Sequence, residues 1–186
     1  MIETLKFYKN FPKEGINFID IIPFLQSRKA FGEVIEALNK VTTTPNVAAP
    51  EARAFLFAAP LLVVDGKVEN FIPMRKSGKL PFNEGDLIEI KVKKEYDFDR
   101  LYYRLSDVAA SVPNGDTIEI TILDDVLATG GTAEGMAQSL EKLTIERDGK
   151  SYKVKVKEFV FLVGIPEIGG QERLEKIAPV TVLMNI

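Results

Sequence analysis

Between Ile122 and Ala133 the chain reads ILDDVLATGGTA: an apolar run, two adjacent acids, a short apolar link, then Thr-Gly-Gly-Thr. Residues of these types in this order suit one kind of ligand. Gly130 and Gly131 let successive backbone N–H groups converge on an anion, and a helix opening here adds its positive end. Thr129 and Thr132 bring hydroxyl donors to the same group, and Ala128 leads into the turn. Asp124 and Asp125 are acceptors suited to sugar hydroxyls or to the water around a magnesium ion. A Walker loop and a GxGxxG dinucleotide fingerprint are both absent. A site that holds a phosphate beside a diol points to a ribose 5-phosphate.

The rest of the composition narrows the chemistry. The 186 residues include no Cys, His or Trp. That excludes disulfides, thiolate nucleophiles, Cys-ligated metals, a Ser-His-Asp triad and an HExxH zinc site. Reaction chemistry must use carboxylates, Lys, Arg, Tyr, hydroxyls, backbone amides or an ion carried in by the substrate, so no metal site built by the protein is expected. Lys and Arg total 24 against 27 Asp and Glu, a net charge of −3, which argues against a nucleic-acid partner. The N-terminus MIETLKFYKN lacks an apolar signal core, and no apolar run approaches the ~20 residues of a membrane span. The expectation is a cytoplasmic protein with no membrane contact.

Several elements must position these residues. Ser27 precedes Phe31, Val34, Ile35 and Leu38, whose spacing predicts a capped amphipathic helix. Strands are expected at 47–49, 71–74, 117–123, 158–163 and 180–184, and helices over about 52–64 and after Thr132, the latter with Met136, Leu140 and Leu143 on one face. Ile88, Ile90 and Val92 alternate with charged residues, which predicts a hairpin arm with one wet face and a partner near 101–105. Asp148-Gly149 reads as a two-residue hairpin turn. Strands alternating with helices predict an α/β fold, a mostly parallel sheet covered on both faces, with ligands beyond the carboxyl ends of the strands. Three polar loops fall there: 75–86, 124–132 and the one opening at Glu51.

At this point the chain resembles a known family. Residues 122–133 resemble the phosphoribosyl-diphosphate motif of the type I phosphoribosyltransferases, and further segments resemble the adenine phosphoribosyltransferases in particular. FPKEGINFIDIIPFL (11–25) is similar to the FPxxGxxFxDI segment, EARAF (51–55) to the pyrophosphate loop, and RKSGKLP (75–81) to the RKxGKLP loop. Glu95-Tyr96 matches a Glu-Tyr pair ending a flexible loop, and GGQERL (169–174) a GxxKL-like C-terminal turn. The matches run in family order.

The resemblance implies the type I phosphoribosyltransferase fold over residues 1–186 as one domain, with a small N-terminal hood (1–25) and a flexible loop and β-hairpin lid (75–105). It implies transfer of ribose 5-phosphate from phosphoribosyl diphosphate to adenine, giving AMP and pyrophosphate in purine salvage. A magnesium ion would be delivered with the diphosphate, and the protein would be a homodimer. By the same pattern, Ala128, Thr129, Gly130, Gly131 and Thr132 cradle the 5-phosphate, and Asp124 and Asp125 take the ribose hydroxyls. Arg53, Arg75, Lys76 and Lys79 meet the pyrophosphate. Phe18 and Ile165 sandwich the base, whose edge is read by main-chain groups near Asn17 and Ile19. Glu95, with Tyr96, is carried on the closing loop as the general acid.

The sequence also departs from the family pattern. Ala49-Pro50-Glu51-Ala52-Arg53-Ala54 stands where the family has glycines before and after the loop, as in GIEARGF. Pro50 fixes its own φ and restricts Ala49, and Ala54 adds a methyl where backbone is expected to approach the diphosphate. Val163-Gly164-Ile165-Pro166 differs before the base-covering residue, which bears on base choice. The hairpin at Asp148-Gly149 is longer than the family's turn. The alternatives are a phosphoribosyltransferase for another purine base, or a weakened paralogue that binds phosphoribosyl diphosphate or a nucleotide.

Overall fold

The computed structural model describes the backbone of residues 1–93 and 98–186. The chain opens with an antiparallel pair, β1 (Lys6–Lys9) and β2 (Asn17–Asp20), followed by the short α1 (Ile22–Leu25). Helix α2 (Arg28–Val41) starts at Ser27, whose side chain accepts the Ala30 N–H at 3.2 Å, and it buries Val34, Ile35 and Leu38 as their spacing predicts. Then come β3 (Asn46–Pro50), α3 (Phe55–Ala58) and β4 (Asn70–Met74). An antiparallel hairpin of β5 (Leu87–Lys93) and β6 (Phe98–Arg104) leads into α4 (Leu105–Ala109). The last third holds β7 (Thr117–Leu127), α5 (Gly131–Leu140), β8 (Thr144–Arg147), β9 (Lys150–Gly164), α6 (Gly170–Leu174) and β10 (Val180–Asn185).

Five strands form a parallel sheet in the order β10-β9-β7-β3-β4, and β8 pairs antiparallel with the first part of β9. The chain therefore runs from β3 outward to β4, then returns past β3 to β7 and proceeds outward the other way. The reversal falls between β3 and β7, where open α/β sheets bind their ligands. The β3–β7 register ends at Ala48↔Ile122, although β7 continues to Leu127. The two strands part beyond that point, and a crevice opens between them.

Apolar layers cover both faces. Ile72, Ile122 and Phe161 pack with Met136 and Leu140 of α5 and with Ile90, Val92 and Tyr103 of the β5–β6 hairpin. Val47, Leu123 and Val160 pack with α2, α3 and the N-terminal segment through Ile19, Ile21 and Phe24. The hairpin keeps its wet face: Glu89 and Lys91 are exposed while Ile90 and Val92 are buried.

Three local readings change. The expected helix over 52–64 is only α3 followed by a 3-10 turn at Ala59–Leu62, because Pro60 lacks the N–H a second helical turn requires. The strand expected to end at Leu123 runs to Leu127, since β9 pairs with it as far as Leu127↔Gly164, so both acids stand on the strand and not after it. Helix α5 ends at Leu140, so Leu143 lies beyond it, packed against the same apolar layer. The Asp148-Gly149 turn forms as expected, with φ of 52° and 72°, and joins β8 to β9. No helix among the described residues is long and apolar enough to cross a membrane.

Candidate active site

The crevice at the β3–β7 split encloses about 570 Å³. One wall is the turn after β3, residues 50–54, and the other is Asp124, Asp125 and Val126. Lys76 and Ser77 close one side, and Arg100 and Leu101 of β6 reach it from the hairpin. Beside it lies a smaller pocket of about 100 Å³, lined by Asp124 and by residues 128–132. Thr132 also lines the crevice, so the two spaces share the start of α5 and one acid.

The small pocket is made by main chain. Gly130 caps α5 with φ of 73°, a left-handed conformation that a side chain would strain. The first intrahelical bond runs from Glu134 N–H to the Gly130 carbonyl at 2.9 Å. The N–H groups before it therefore lack helical acceptors at the positive end of the helix. Thr129 Oγ1 accepts the Gly131 N–H at 3.4 Å. None of the described residues lining this pocket is cationic.

Charged side chains build the crevice instead. Arg53 Nε lies 2.7 Å from Asp125 Oδ2, an ion contact that is not aligned as a hydrogen bond. The same guanidinium donates through Nη1 to the Ile19 carbonyl at 3.1 Å and stands 5.1 Å from the centre of the Phe18 ring. Phe18 in turn meets Phe11 edge-on at 5.2 Å. Arg75 donates through Nε to Glu51 Oε2 at 2.6 Å and through Nη1 to the Lys79 carbonyl at 2.9 Å. Burial works to raise the Glu51 carboxyl, but hydrogen bonds and charge from Arg75 and Lys76 outweigh it and hold the group below its ordinary value. Asp124 goes the other way. Burial first, then the neighbouring Asp125 carboxylate, push it well above the usual carboxylate range.

The altered loop fits its place. Because β7 pairs with β3 only to Ala48, Pro50 deprives that neighbour of no donor, and the β4 side is served by Glu51 N–H to the Met74 carbonyl at 2.8 Å. The turn that follows contains a cis peptide between Glu51 and Ala52. Ala54 is 1% exposed and belongs to the apolar layer around Phe57, and it also lines the crevice.

The structure thus brings together Arg53, Lys76, Asp124, Asp125 and Thr132 in one crevice, with Ala128, Thr129, Gly130 and Gly131 in the adjoining pocket. Arg75 and Lys79 stand behind the loop, joined to Glu51 through Arg75. Asn17, Phe18 and Ile19 lie on β2, tied to the site by Arg53. Ile165 donates its N–H to the Leu127 carbonyl at 3.0 Å and lines a separate small pocket with Gly164 and Gln171. Phe18 lines neither the crevice nor the cradle pocket. Glu95 and Tyr96 lie outside the described residues. Glu51 and Arg173 are visible in the sequence only as letters of EARAF and GGQERL, with no role of their own, and Arg100 reaches the crevice only through the hairpin register.

Among the described residues, no group of three or more acidic side chains is gathered closely enough to cage a metal ion. The donor set at the crevice, carboxylate oxygens of Asp124 and Asp125, suits the water shell of a hard cation that arrives with its own ligands.

A parallel sheet with this switch-point crevice, acids at one strand end and a glycine cradle after them, is the type I phosphoribosyltransferase fold. No protein-family model matches the chain. The adenine phosphoribosyltransferase of Maridesulfovibrio salexigens is 38% identical over 165 residues, covering 87% of this chain and 88% of that protein. The crystal structure of the Thermoanaerobacter pseudethanolicus adenine phosphoribosyltransferase superposes with a TM-score of 0.80 at 34% identity, covering 100% of this chain and 97% of that one. The Saccharomyces cerevisiae enzyme, complexed with D-2,5-dideoxy-2,5-imino-altritol 1,6-bisphosphate and adenine, gives 0.74 at 27% identity over 98% and 95% of the two chains. This chain belongs to the adenine phosphoribosyltransferase family.

Proposed function

We propose that this protein transfers ribose 5-phosphate from phosphoribosyl diphosphate to N9 of adenine, releasing pyrophosphate and AMP, and that it needs magnesium to do so. One observation carries the reading: Asp124 lines both the glycine cradle and the crevice, so the acids stand between an anion pocket and a cationic loop. A ribose 5-phosphate fits that order, with its phosphate on residues 128–132, its hydroxyls on Asp124 and Asp125, and its diphosphate toward Arg53 and Lys76. The yeast relative's complex with adenine and a bisphosphate supports the same ligand classes.

The proposed chemistry needs no imidazole. Breaking the bond at the anomeric carbon builds positive charge on the sugar and negative charge on the leaving diphosphate, so fixed cations at that group lower the barrier. Arg53, Arg75, Lys76 and Lys79 are assigned to it, with Arg53 and Arg75 leaving their present acids as the diphosphate arrives. A magnesium ion bound to the diphosphate would neutralise further charge, with Asp124 and Asp125 meeting its water shell. Phe18 and Ile165 are assigned to the faces of the base, and main-chain groups near Asn17 and Ile19 to its edge. Glu95, beside Tyr96, is assigned as the proton-transfer group at the base, general acid in the direction that frees adenine and acceptor of the base's proton as AMP forms, on a segment whose closure would exclude water. The reading treats residues 1–186 as one domain, with 1–25 as hood and 75–105 as lid, in a cytoplasmic homodimer. Exposed Leu56, Leu62 and Val63 support a second copy docking near α3.

A second reading has its own observation. Arg53, which lines the crevice, and Arg75, behind its loop, are already paired with acids, Asp125 and Glu51 respectively. That arrangement fits a paralogue that binds phosphoribosyl diphosphate without turnover. Assays with magnesium and phosphoribosyl diphosphate, offering adenine, hypoxanthine, guanine and xanthine separately, divide the readings. AMP formed from adenine alone is the expected result. Product with a different base reassigns the specificity, and tight ligand binding without product from any base overturns the enzyme reading. Light scattering on the same sample reads the oligomer.

A further inference from the structure

Helix α6, within the C-terminal GGQERL segment, packs directly behind the glycine cradle. A Cβ on Gly170 would lie 2.1 Å from the Ala128 carbonyl oxygen and 3.0 Å from the Gly130 nitrogen, so only a glycine allows this approach. The fit is reciprocal: a Cβ on Gly130 would stand 3.0 Å from the Gly170 carbonyl and 3.1 Å from Leu174 Cγ. Leu174 is fully buried beneath them. Arg173, on the same short helix, donates through Nη1 to the Thr129 carbonyl at 3.4 Å. Its Nε donates to Glu134 Oε2 at 2.9 Å, and Nη2 reaches the same oxygen.

Glu134 makes this pairing consequential. It lies in the first turn of α5, where a carboxylate favours the helix. The same charge opposes any anion bound at that end. No cation lines the pocket among the described residues, so Arg173, whose Nη1 would lie 3.7 Å from a Cβ on Gly131, is the charge that cancels it.

We propose that Gly170 and Arg173 are positioning residues for the 5-phosphate: Gly170 sets the cradle's shape from behind, and Arg173 neutralises Glu134 and anchors the Thr129 carbonyl. This rests on the assignment of residues 128–132 to the phosphate. Arg173→Ala leaves Glu134 unpaired beside the bound phosphate and weakens AMP binding roughly tenfold, the scale of one charge removed a few ångströms from an anion near a protein surface.

Calorimetric titration of the full chain with AMP and with pyrophosphate tests it, using Arg173→Ala, Arg173→Lys, Glu134→Gln and the Arg173→Ala/Glu134→Gln double variant. The expected result is weaker AMP binding in Arg173→Ala, partial recovery in Arg173→Lys and in the double variant, and pyrophosphate affinity unchanged throughout. A purely structural role for Arg173 predicts no recovery when Glu134 also loses its charge. That outcome, or AMP affinity equal to the parent in Arg173→Ala, overturns the proposal while leaving the cradle assignment intact. A parent protein that binds pyrophosphate but neither AMP nor ribose 5-phosphate overturns the cradle assignment and this proposal together. Gly170→Ala, read by the same titrations, is the steric counterpart, and the Arg173 series remains decisive should that variant not fold.

Discussion

The two regions assigned to the phosphate and the diphosphate are built on opposite plans. Residues 128–132 use main chain: glycine-dependent turns, a helix start, no lining cation among the described residues, and a second helix packed flush behind. The loop after β3 and the loop after β4 use side chains, and their arginines are already engaged, Arg53 with Asp125 and Arg75 with Glu51. The first plan is sensitive to shape. The second holds its charge in internal ion pairs, so on the proposed reading an arriving diphosphate would have to exchange one partner for another. The pairs also protect the free protein, since an unpaired carboxylate at a mostly buried position is costly.

Substitutions can break this contrast, beginning with the largest effect. Gly170→Ala forces the Ala128 carbonyl aside and should lower kcat/KM for phosphoribosyl diphosphate at least about a hundredfold, the scale of an ångström's misplacement. Arg53→Ala removes a guanidinium that touches Asp125, the Ile19 carbonyl and Phe18 together. It should cost about a hundredfold in kcat, as for one lost transition-state donor. Arg53→Lys should recover little, because an ammonium cannot make the three contacts at once. Near-parental steady-state rates in Arg53→Ala would show that the stored cation is not used.

Stability reports on the two acids in opposite senses. Arg75→Ala strands Glu51, whose side chain is 10% exposed, and should lower unfolding free energy by about 1–3 kcal/mol in urea titrations. Because the folded protein holds Glu51 below its ordinary value, this stabilisation is present above the ordinary carboxylate pKa and fades as pH falls through the lowered one. The variant should therefore show a flatter acid limb. Asp124 is raised, so its ionised form works against the fold, and stability falls as pH climbs from the ordinary carboxylate range through the raised value. Asp124→Asn should flatten that slope and raise the neutral-pH Tm in thermal melts, even as activity drops. A lowered Tm would show that the strand-end acid is better solvated than its packing implies.

Much of this was legible in the residues. The helix after Ser27, the wet hairpin, the turn at Asp148-Gly149 and the glycine cradle all form where spacing and turn chemistry predict, because each signal is confined to one turn or one strand period. Element ends were less legible. β7 is longer than its own sequence announces because β9, thirty-odd residues away, keeps pairing with it, and α3 is shorter because a proline outweighs a helical pattern. The sequence by itself determined which residues could hold a phosphate, a diol and a diphosphate, since those capacities belong to side-chain type and local turn geometry. Tertiary structure alone decided that the strands part between β3 and β7, that Arg53 faces Asp125 and Ile19, and that Arg173 stands behind the cradle. Those are contacts between segments dozens of residues apart, fixed by strand order and register and by the close packing of glycine against glycine, which no local pattern encodes.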